Sequence, residues 1–365
     1  MSELTSLRRI FAVGERFHRS VNIAADYNNP RALDDYIPTS LSRAVLSRIV
    51  YGLSAGSTGR AWSITGPYGA GKSGAVLFLA QVLGYPGDGR ARTLLEYTDP
   101  KLSGEAYNLL PGLETGGFIV VSLVGGHEPI AWSLLKGLIA SFSSPDTFNP
   151  VLEPHVNEMR ELYDRAKNGG AVSASSIAEA IQSSVEAVQS TDPTVLGLLL
   201  IYDELGKALD YAALHPELAD VGILQTVAEL ASRSGSTPIG LVTILHQAFE
   251  HYAADLSPVQ QREWAKVQGR FEDIGFLESS GGLLGLIDKA IQPIEVLDKS
   301  LESVITHEVA QAEQLGLLPT DLDYGVGRRV LAGCAPLHPT AALLLGRLFR
   351  SRLSQNERSM FAFLS

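Results

Sequence analysis

The chain has 365 residues, of which 45% are hydrophobic and 19% charged, a globular composition whose length suits two modest domains or one large domain with insertions. Its formal net charge of −11 argues against binding nucleic acid over a whole face, because neutralising phosphates requires clustered Lys and Arg. The single cysteine, Cys334, excludes an intrachain disulfide and a cysteine-based metal site, and it fits a reducing cytoplasm.

A glycine-rich loop follows the first strand-like stretch, RAWSIT, and its residues 66–73, GPYGAGKS, match G-x-x-x-x-G-K-[ST] in full. Glycines permit backbone angles that turn successive N–H groups onto phosphate oxygens. Lys72 is predicted to reach the β- and γ-phosphates, and the Ser73 hydroxyl to ligate Mg²⁺. The apolar run GAVLFLAQVLG predicts a helix that ends at Gly84 and points its positive dipole end at the phosphates. The predicted nucleotide-binding residues are Gly66, Pro67, Tyr68, Gly69, Ala70, Gly71, Lys72, Ser73 and Gly74.

Residues 116–193 are predicted to contain a buried strand and a helical insertion. The run GGFIVVSLVGG (116–126) is typical of a buried strand, and a helix is predicted to start at Pro129. Within residues 141–193, the segments NEMRELYDRAK and SASSIAEAIQSSVEAVQS predict two further helices. We interpret residues 141–193 as a helical insertion.

A second motif distinguishes between classes of P-loop protein. Residues 195–204, VLGLLLIYDE, form an apolar run that ends in two carboxylates, which is typical of a buried parallel strand with a ligand at its carboxyl end. Asp203 is predicted to hold Mg²⁺ directly or through water, and Glu204 to polarise a water aimed at the γ-phosphate. Small-molecule kinases and GTPases generally lack the adjacent glutamate, so the pair favours a hydrolytic ATPase.

The next predicted strand, TPIGLVTILHQ (237–247), also ends in polar residues. In ATPases of this build, the strand beside the Asp-Glu strand ends with a polar side chain that senses the γ-phosphate. Thr243, His246 and Gln247 are the candidates, and we favour Gln247 or His246. The alternative for His246 is an ordinary core histidine.

A helix and a strand are predicted within SPVQQREWAKVQGRFEDIGFLE (257–278). Ser257 and Pro258 suit the start of the helix and Gly269 its end, and FEDIGFLE alternates as an edge or fifth strand does. Arg270 falls at the junction and is predicted to reach the γ-phosphate of a neighbouring subunit, where an arginine stabilises the transition state. The alternative is a surface arginine or a local ion pair.

These four elements, in this order, resemble the AAA+ ATPases within the additional-strand class of P-loop proteins, and GRFEDIGFL is similar to the stretch that carries their arginine fingers. A narrower resemblance, over most of residues 12–365, is to the N-terminal ATPase region of the large BREX phage-defence ATPases of the BrxC and PglY type. Its carriers are DELGKAL, VTILHQAFEHYA, EWAKVQGRFEDI, CAPLHPTAALLLG and QNERSMFAFLS. The resemblance implies ATP and Mg²⁺ at Lys72, Ser73, Asp203 and Glu204, and action within a DNA-targeting assembly.

The fold that this resemblance implies is a three-layer αβα P-loop core with a C-terminal α-helical lid. Residues 1–60 are expected to form a helical lead-in, residues 61–278 the core, and residues 279–365 the lid. Because the chains of that family usually continue beyond a QNER-type segment, we expect either a truncated lid or a naturally short relative. In the lead-in, Tyr36 and Ile37 are candidates to line the adenine pocket, with ordinary packing as the alternative. The candidates for a second sensor arginine in the lid are Arg328, Arg329, Arg347 and Arg350.

The sequence-based hypothesis is therefore an AAA+-type ATPase that hydrolyses ATP to drive conformational change in a bacterial defence assembly. Expected partners are copies of the same chain, in a ring or filament through the arginine finger, and other defence proteins, with DNA reached only through the assembly. No membrane association is expected, because the longest apolar stretch, residues 195–202, is too short to span a bilayer, and we expect a cytoplasmic protein. The main alternative is an ATP-dependent oligomerisation switch or scaffold with little turnover. A phosphotransferase is disfavoured by the Asp-Glu pair.

Overall fold

The computed structural model describes residues 7–14, 17, 21–87, 89–144, 149–217, 220–350 and 364. Among the helices described, none has both the length and the hydrophobicity needed to cross a membrane. The strands are β1 (Phe11–Val13), β2 (Ala61–Thr65), β3 (Gly117–Val124), β4 (Val195–Asp203), β5 (Ile239–Leu245), β6 (Glu272–Gly275) and β7 (Ile291–Pro293). The helices are α1 (Ile23–Asp26), α2 (Ser40–Leu53), α3 (Lys72–Leu83), α4 (Gly89–Thr98), α5 (Pro100–Leu109), α6 (Ile130–Phe142), α7 (Glu153–Lys167), α8 (Ala174–Thr191), α9 (Leu205–Leu214), α10 (Gly222–Arg233), α11 (Phe249–Tyr252), α12 (Pro258–Gln268), α13 (Ser280–Ala290), α14 (Lys299–Gln314), α15 (Tyr324–Gly333) and α16 (Pro339–Arg350).

The chain divides into two compact units. The larger, here called the core unit, comprises Val21–Gly66 and Lys72–Phe276. The smaller unit comprises Met1–Ser20, Pro67–Gly71 and Leu277–Ser365, so the middle of the glycine-rich loop is grouped with it.

A five-stranded parallel sheet in the order β3-β4-β5-β2-β6 forms the centre of the core unit. Leu200 of β4 is flanked by Val121 of β3 and Leu241 of β5. A strand with neighbours on both sides and helices on both faces is buried all round, which is why β4 is apolar along its whole length. β6 is an edge strand of the sheet, as the stretch FEDIGFLE predicted. β5 lies between the loop strand β2 and the Asp-Glu strand β4.

The helices of the core unit pack in two groups. Contacts link α1 to α5 with one another, and a second network links α6 to α10. In the second group, Leu134, Ile181 and Val227 join Leu200 of the sheet in one hydrophobic cluster of fully buried side chains. Helices that contact the sheet in two separate groups give a three-layer α/β architecture. This is the three-layer α/β architecture that the sequence led us to expect.

Local cap signals set the ends of the core helices. Ser257 caps α12 and forms a capping box with Gln260, Pro258 is the first helical residue, and Gly269 ends the helix. Residues 141–193, which the sequence predicts to be helical, contain the end of α6 and the whole of α7 and α8.

The smaller unit combines α13 to α16 with a two-stranded sheet. β1 pairs antiparallel with β7, with Phe11 opposite Pro293 and Val13 opposite Ile291. Residues 11–13 therefore form a strand within the segment predicted to be a helical lead-in, and residues 291–293 form another within the predicted helical lid. These two strands were missed because they are short and pair with segments far away in the sequence, so no local pattern predicts them. Of the predicted lid, residues 351–363 and 365 lie outside the described part of the chain.

Candidate functional site

The predicted phosphate loop and the predicted carboxylates meet at one edge of the sheet. β2 ends at Thr65 and leads into Gly66, whose amide extends the sheet by donating to the carbonyl of Leu245 at 3.2 Å. β4 ends at Asp203, two strands away. Because the strands are parallel, these carboxyl ends share an edge, which is where open α/β sheets bind ligands.

Lys72 is a buried cation at the first position of α3. Its side chain is 5% exposed, and its Nζ donates a hydrogen bond of 2.6 Å to the carbonyl oxygen of Gly66. Burial lowers the pKa of Lys72 to about 8, while the charge of Asp203 acts in the opposite direction. The ammonium group is thus held among the ends of the central strands with little solvent around it, an environment that favours binding of a multiply charged anion.

Asp203 and Ser73 place two oxygen-bearing side chains side by side. Asp203 is 7% exposed, its Oδ1 accepts the Glu204 amide at 2.8 Å, and its carboxylate is hydrogen-bonded to the Ser73 hydroxyl. Burial raises the pKa of Asp203, and the hydrogen bond from the Glu204 amide opposes that shift. Oxygen ligands of this kind suit Mg²⁺, which keeps several waters and takes few protein ligands. The described residues hold no group of three or more His, Cys, Asp or Glu side chains suited to a metal.

Glu204 adopts a left-handed backbone conformation immediately after the strand. Its φ is 51° and its ψ 32°, a region that residues other than glycine rarely occupy. Its carboxylate forms an ion pair with Lys207, one turn along α9. Such strain costs about 1 kcal/mol or more and concentrates at functional sites. The conformation turns the chain between Asp203 and α9, so that the two adjacent carboxylates have different surroundings.

The loop after β3 supports the backbone of the Asp-Glu pair. The Gly125 amide donates to the carbonyl of Asp203 at 2.8 Å. A Cβ at position 125 would lie 2.1 Å from the Glu204 carbonyl oxygen, so any side chain there displaces the backbone. Gly126, by contrast, has room, since its nearest neighbour is an atom of the Glu128 side chain at 3.7 Å. Glycine is required at position 125 because two backbone segments approach closely there.

For the ATPase activity that the sequence predicts, Gly125→Ala is expected to lower turnover by about tenfold or more, because it displaces the predicted base Glu204 by a fraction of an ångström. Gly126→Ala is the matched control and is expected to keep its activity. The rates of both variants are measured at saturating ATP, with thermal melting to verify folding. Equal rates for the two variants would contradict the role of this contact.

The glycines of the loop itself meet two different demands. Gly69 and Gly71 have φ values of 71° and 90°, which strain residues with a side chain. Gly66 instead faces a crowded backbone, since a Cβ there would lie 2.4 Å from the carbonyl oxygen of Phe276. Tyr68 is 52% exposed. The motif positions that the sequence assigns to glycine thus have geometries that exclude other residues.

Of the three sensor candidates at the end of β5, His246 is under the influence of two lysine charges. Burial, together with the positive charges of Lys72 and Lys207, lowers its pKa to about 4, so the imidazole is neutral at pH 7. Gln247 is exposed, and the Thr243 hydroxyl donates to the carbonyl of Trp62 inside the sheet at 3.2 Å. The structure thus brings His246, and not Thr243, to the site edge, and a sensor role for His246 or Gln247 stays a prediction.

Arg270 lies at the opposite end of the sheet from the phosphate loop, where the strands begin. It follows α12 and precedes β6, whose register pairs Glu272 with Trp62 and Gly275 with Thr65. Its guanidinium forms an ion pair of 2.9 Å with Glu229 of α10 and is half exposed. The local ion pair that the sequence left as an alternative is therefore present.

No protein-family profile and no curated protein matches the chain. Among solved structures, two of the Aeropyrum pernix ORC2 protein are similar to it. The structure of its ADPNP-ADP complexes has 15% sequence identity and a TM-score of 0.38, over 83% of this chain and 71% of that chain. The structure of its ADP form has 15% identity and a TM-score of 0.40, over 84% and 73%. The assignment of the site rests on the geometry above.

The residues named for adenine lie beside the loop helix. The Tyr36 ring comes within 3.5 Å of the Cβ position of Gly74 and packs at a tilt against Phe78, with 5.3 Å between ring centroids. Ile37 follows it and is half-buried. This contact is compatible with either alternative, an adenine pocket or ordinary packing.

The lid arginines have local partners where their side chains are described. Arg328 lies 3.6 Å from Glu313. Burial raises the pKa of Asp288, and the charges of Lys289 and Arg329 partly offset that rise. The side chains of Arg347 and Arg350 lie outside the described part. The choice of a second sensor therefore stays open.

Three features of the site were missed by the sequence reasoning. Gly125, Lys207 and Glu229 each contact a predicted site residue. The Gly125–Gly126 pair directly after a buried strand was a usable signal, because glycine at a strand end often marks a close backbone approach. Nothing local marks the contact of Glu229 with Arg270, which lies 41 positions further along the chain.

Proposed function

We propose that this chain is an AAA+-type ATPase that binds ATP with Mg²⁺ at the edge formed by Lys72, Ser73 and Asp203. The observation that carries the proposal is the contact between the Ser73 hydroxyl and the Asp203 carboxylate beside the buried Lys72 ammonium. Residues of two motifs that are distant in sequence come together there. They provide the positive charge that a nucleotide needs and the oxygen ligands that its cation needs. Lys72 supplies positive charge to the phosphates, and Mg²⁺, when bound, neutralises charge that develops on the transferred phosphoryl group.

Glu204 is the proposed general base. It adjoins the metal-binding Asp203, and its strained backbone separates the two carboxylates into different roles. Orienting and polarising the attacking water requires the carboxylate to leave Lys207, since an ion-paired carboxylate is a weaker acceptor. His246, neutral beside Lys72, is the proposed contact to the γ-phosphate.

Arg270 is proposed to act on the nucleotide of a neighbouring subunit. The register of β6 on β2 puts it level with Arg60, at the start of the strands, whereas the loop begins after their end. At the usual rise of a strand, these levels are about 20 Å apart, more than a side chain spans. Its half-exposed guanidinium can therefore reach only the nucleotide site of a neighbouring chain. This heterologous arrangement generates a ring or a filament.

The biological setting is the most specific part of the proposal. The resemblance to BREX ATPases suggests that ATP hydrolysis drives conformational change in a defence assembly that targets DNA, and this suggestion rests on the sequence alone. The rival reading, an ATP-dependent scaffold with little turnover, has one observation in its favour, the Glu204–Lys207 pair.

Specific ATPase activity measured against the concentration of the full chain tests the proposal, with Lys72→Ala as the blank. We expect activity per subunit to rise with concentration, because each site needs an arginine from a neighbour. The Lys72→Ala variant is expected to be inactive throughout. Negligible turnover at every concentration, with ATP still bound, would contradict the proposal and favour the scaffold.

A further inference from the structure

A cavity of about 460 Å³ opens at the edge of the core sheet opposite the phosphate loop. Its walls come from the segments that precede β2, β4 and β5, and from the end of α5. Most of the wall residues are apolar, among them Leu53, Leu109, Leu110, Phe118, Val195 and Leu196, but nearly half of the exposed lining surface is polar. This size and lining are typical of small-molecule sites, in which a few polar groups fix the orientation of an apolar ligand.

The only formally charged side chain in the lining of this cavity is Arg60. Arg60 is 1% exposed, among the largest fully buried side chains described. It is held in place by four hydrogen bonds: Nε to the Gly52 carbonyl at 3.1 Å, Nη2 to the Ser54 carbonyl at 3.3 Å, and Nη1 to the Ser234 hydroxyl at 2.8 Å and the Gly235 carbonyl at 3.1 Å. These acceptors are all neutral.

The Arg60 charge is not compensated within the described part of the chain. None of the ion pairs there includes Arg60, although buried arginines are ordinarily paired. Burial lowers its pKa, and no carboxylate counteracts this shift. A guanidinium has five N–H donors, and the four bonds above use all but one, which belongs to Nη2. An anion in the cavity gains a charge-assisted hydrogen bond and offsets the cost of the buried charge.

We propose that this cavity binds a small apolar carboxylate, a molecule with one carboxylate group and an apolar body, with the carboxylate on Arg60. The rest of the lining accommodates the apolar body, because it offers aliphatic and aromatic walls and no acidic side chain. A phosphate-rich ligand such as a nucleotide does not fit this lining, since the lining offers a single cation for several negative charges.

This site is separate from the proposed nucleotide site. Arg60, Val195 and Pro238 stand at or before the first residues of β2, β4 and β5, whereas Lys72 and Asp203 lie at the carboxyl ends of the strands. The proposal therefore does not depend on ATP binding.

Isothermal titration calorimetry on the full chain tests it, with octanoate as the probe and 1-octanol as the neutral match. Octanoate is expected to bind with one site per chain and at least about tenfold more tightly than 1-octanol. Leu196→Trp, which fills the cavity, and Ser236→Trp, at its exposed rim, are expected to abolish binding. Leu214→Trp, exposed and outside the cavity, is the control.

Arg60→Gln is expected to remove the preference for octanoate over 1-octanol. If that variant fails to fold, the two tryptophan variants carry the test alone, with thermal melting to verify their folding. Octanoate binding that is absent, that equals 1-octanol, or that survives both tryptophan substitutions in folded protein would overturn the proposal.

Discussion

Glu204→Gln is expected to bind ATP as tightly as the unsubstituted chain and to hydrolyse it at least about a hundredfold more slowly. Glutamine has nearly the shape of glutamate but cannot accept a proton from the attacking water. The neighbouring Asp203, Ser73 and Lys72 remain, so binding of ATP with Mg²⁺ is preserved. The measurement is a steady-state hydrolysis rate together with equilibrium binding of a fluorescent ATP analogue.

The control for this variant is Glu263→Gln, which neutralises an exposed carboxylate paired with Lys266 on α12. It is expected to match the unsubstituted chain in both measurements. Hydrolysis by Glu204→Gln at the full rate would rule out Glu204 as the base. A loss of ATP binding in Glu204→Gln would show that the residue serves the nucleotide site in another way.

Arg270→Ala is expected to lose about a thousandfold in turnover, as removal of an arginine finger does, with ATP binding unchanged. Because Arg270 lies where the strands begin, far from the loop of its own chain, it is proposed to serve the site of a neighbour. Mixing two inactive variants should therefore restore activity. A site from Arg270→Ala keeps Glu204, and a neighbour from Glu204→Gln keeps Arg270. In an equal mixture of freely exchanging subunits, about a quarter of the interfaces combine the two intact residues.

Arg262→Ala is the matched control for Arg270→Ala, because Arg262 is an exposed arginine on the preceding helix α12. Arg262→Ala is expected to be active alone. When it is mixed with Glu204→Gln, the activity is expected not to exceed what the Arg262→Ala subunits give by themselves. Failure of the Arg270→Ala and Glu204→Gln mixture to regain activity, at concentrations where the chain self-associates, would exclude a finger in trans.

Much of the arrangement of the candidate site was predictable because its motifs are local. Lys72 and Ser73 belong to an unbroken eight-residue pattern, and Asp203 and Glu204 end an apolar run that only a buried strand explains. The structure places these residues at one sheet edge because parallel strands carry their carboxyl ends together. The choice between His246 and Gln247 as the sensor stays a prediction, since it depends on which side chain of the turn approaches the γ-phosphate.

The fold followed from the sequence less completely outside the core. The parallel sheet, the helices of residues 141–193 and the caps of α12 all carry periodic or capping signals. The pairing of β1 with β7 does not, because each strand is three residues long and its partner lies about 280 positions away in the chain.

The amino-acid sequence by itself determined the chemistry of the phosphate loop and of the Asp-Glu pair, because each depends on residues within one short segment. Only the tertiary structure decided the rest: the left-handed turn at Glu204, the contact of Gly125 with its carbonyl, the pairing of Arg270 with Glu229, and the buried charge of Arg60. The last three of these join or enclose residues from segments far apart in the chain. Burial and partners are properties of the space around a side chain, and local sequence patterns do not encode that space.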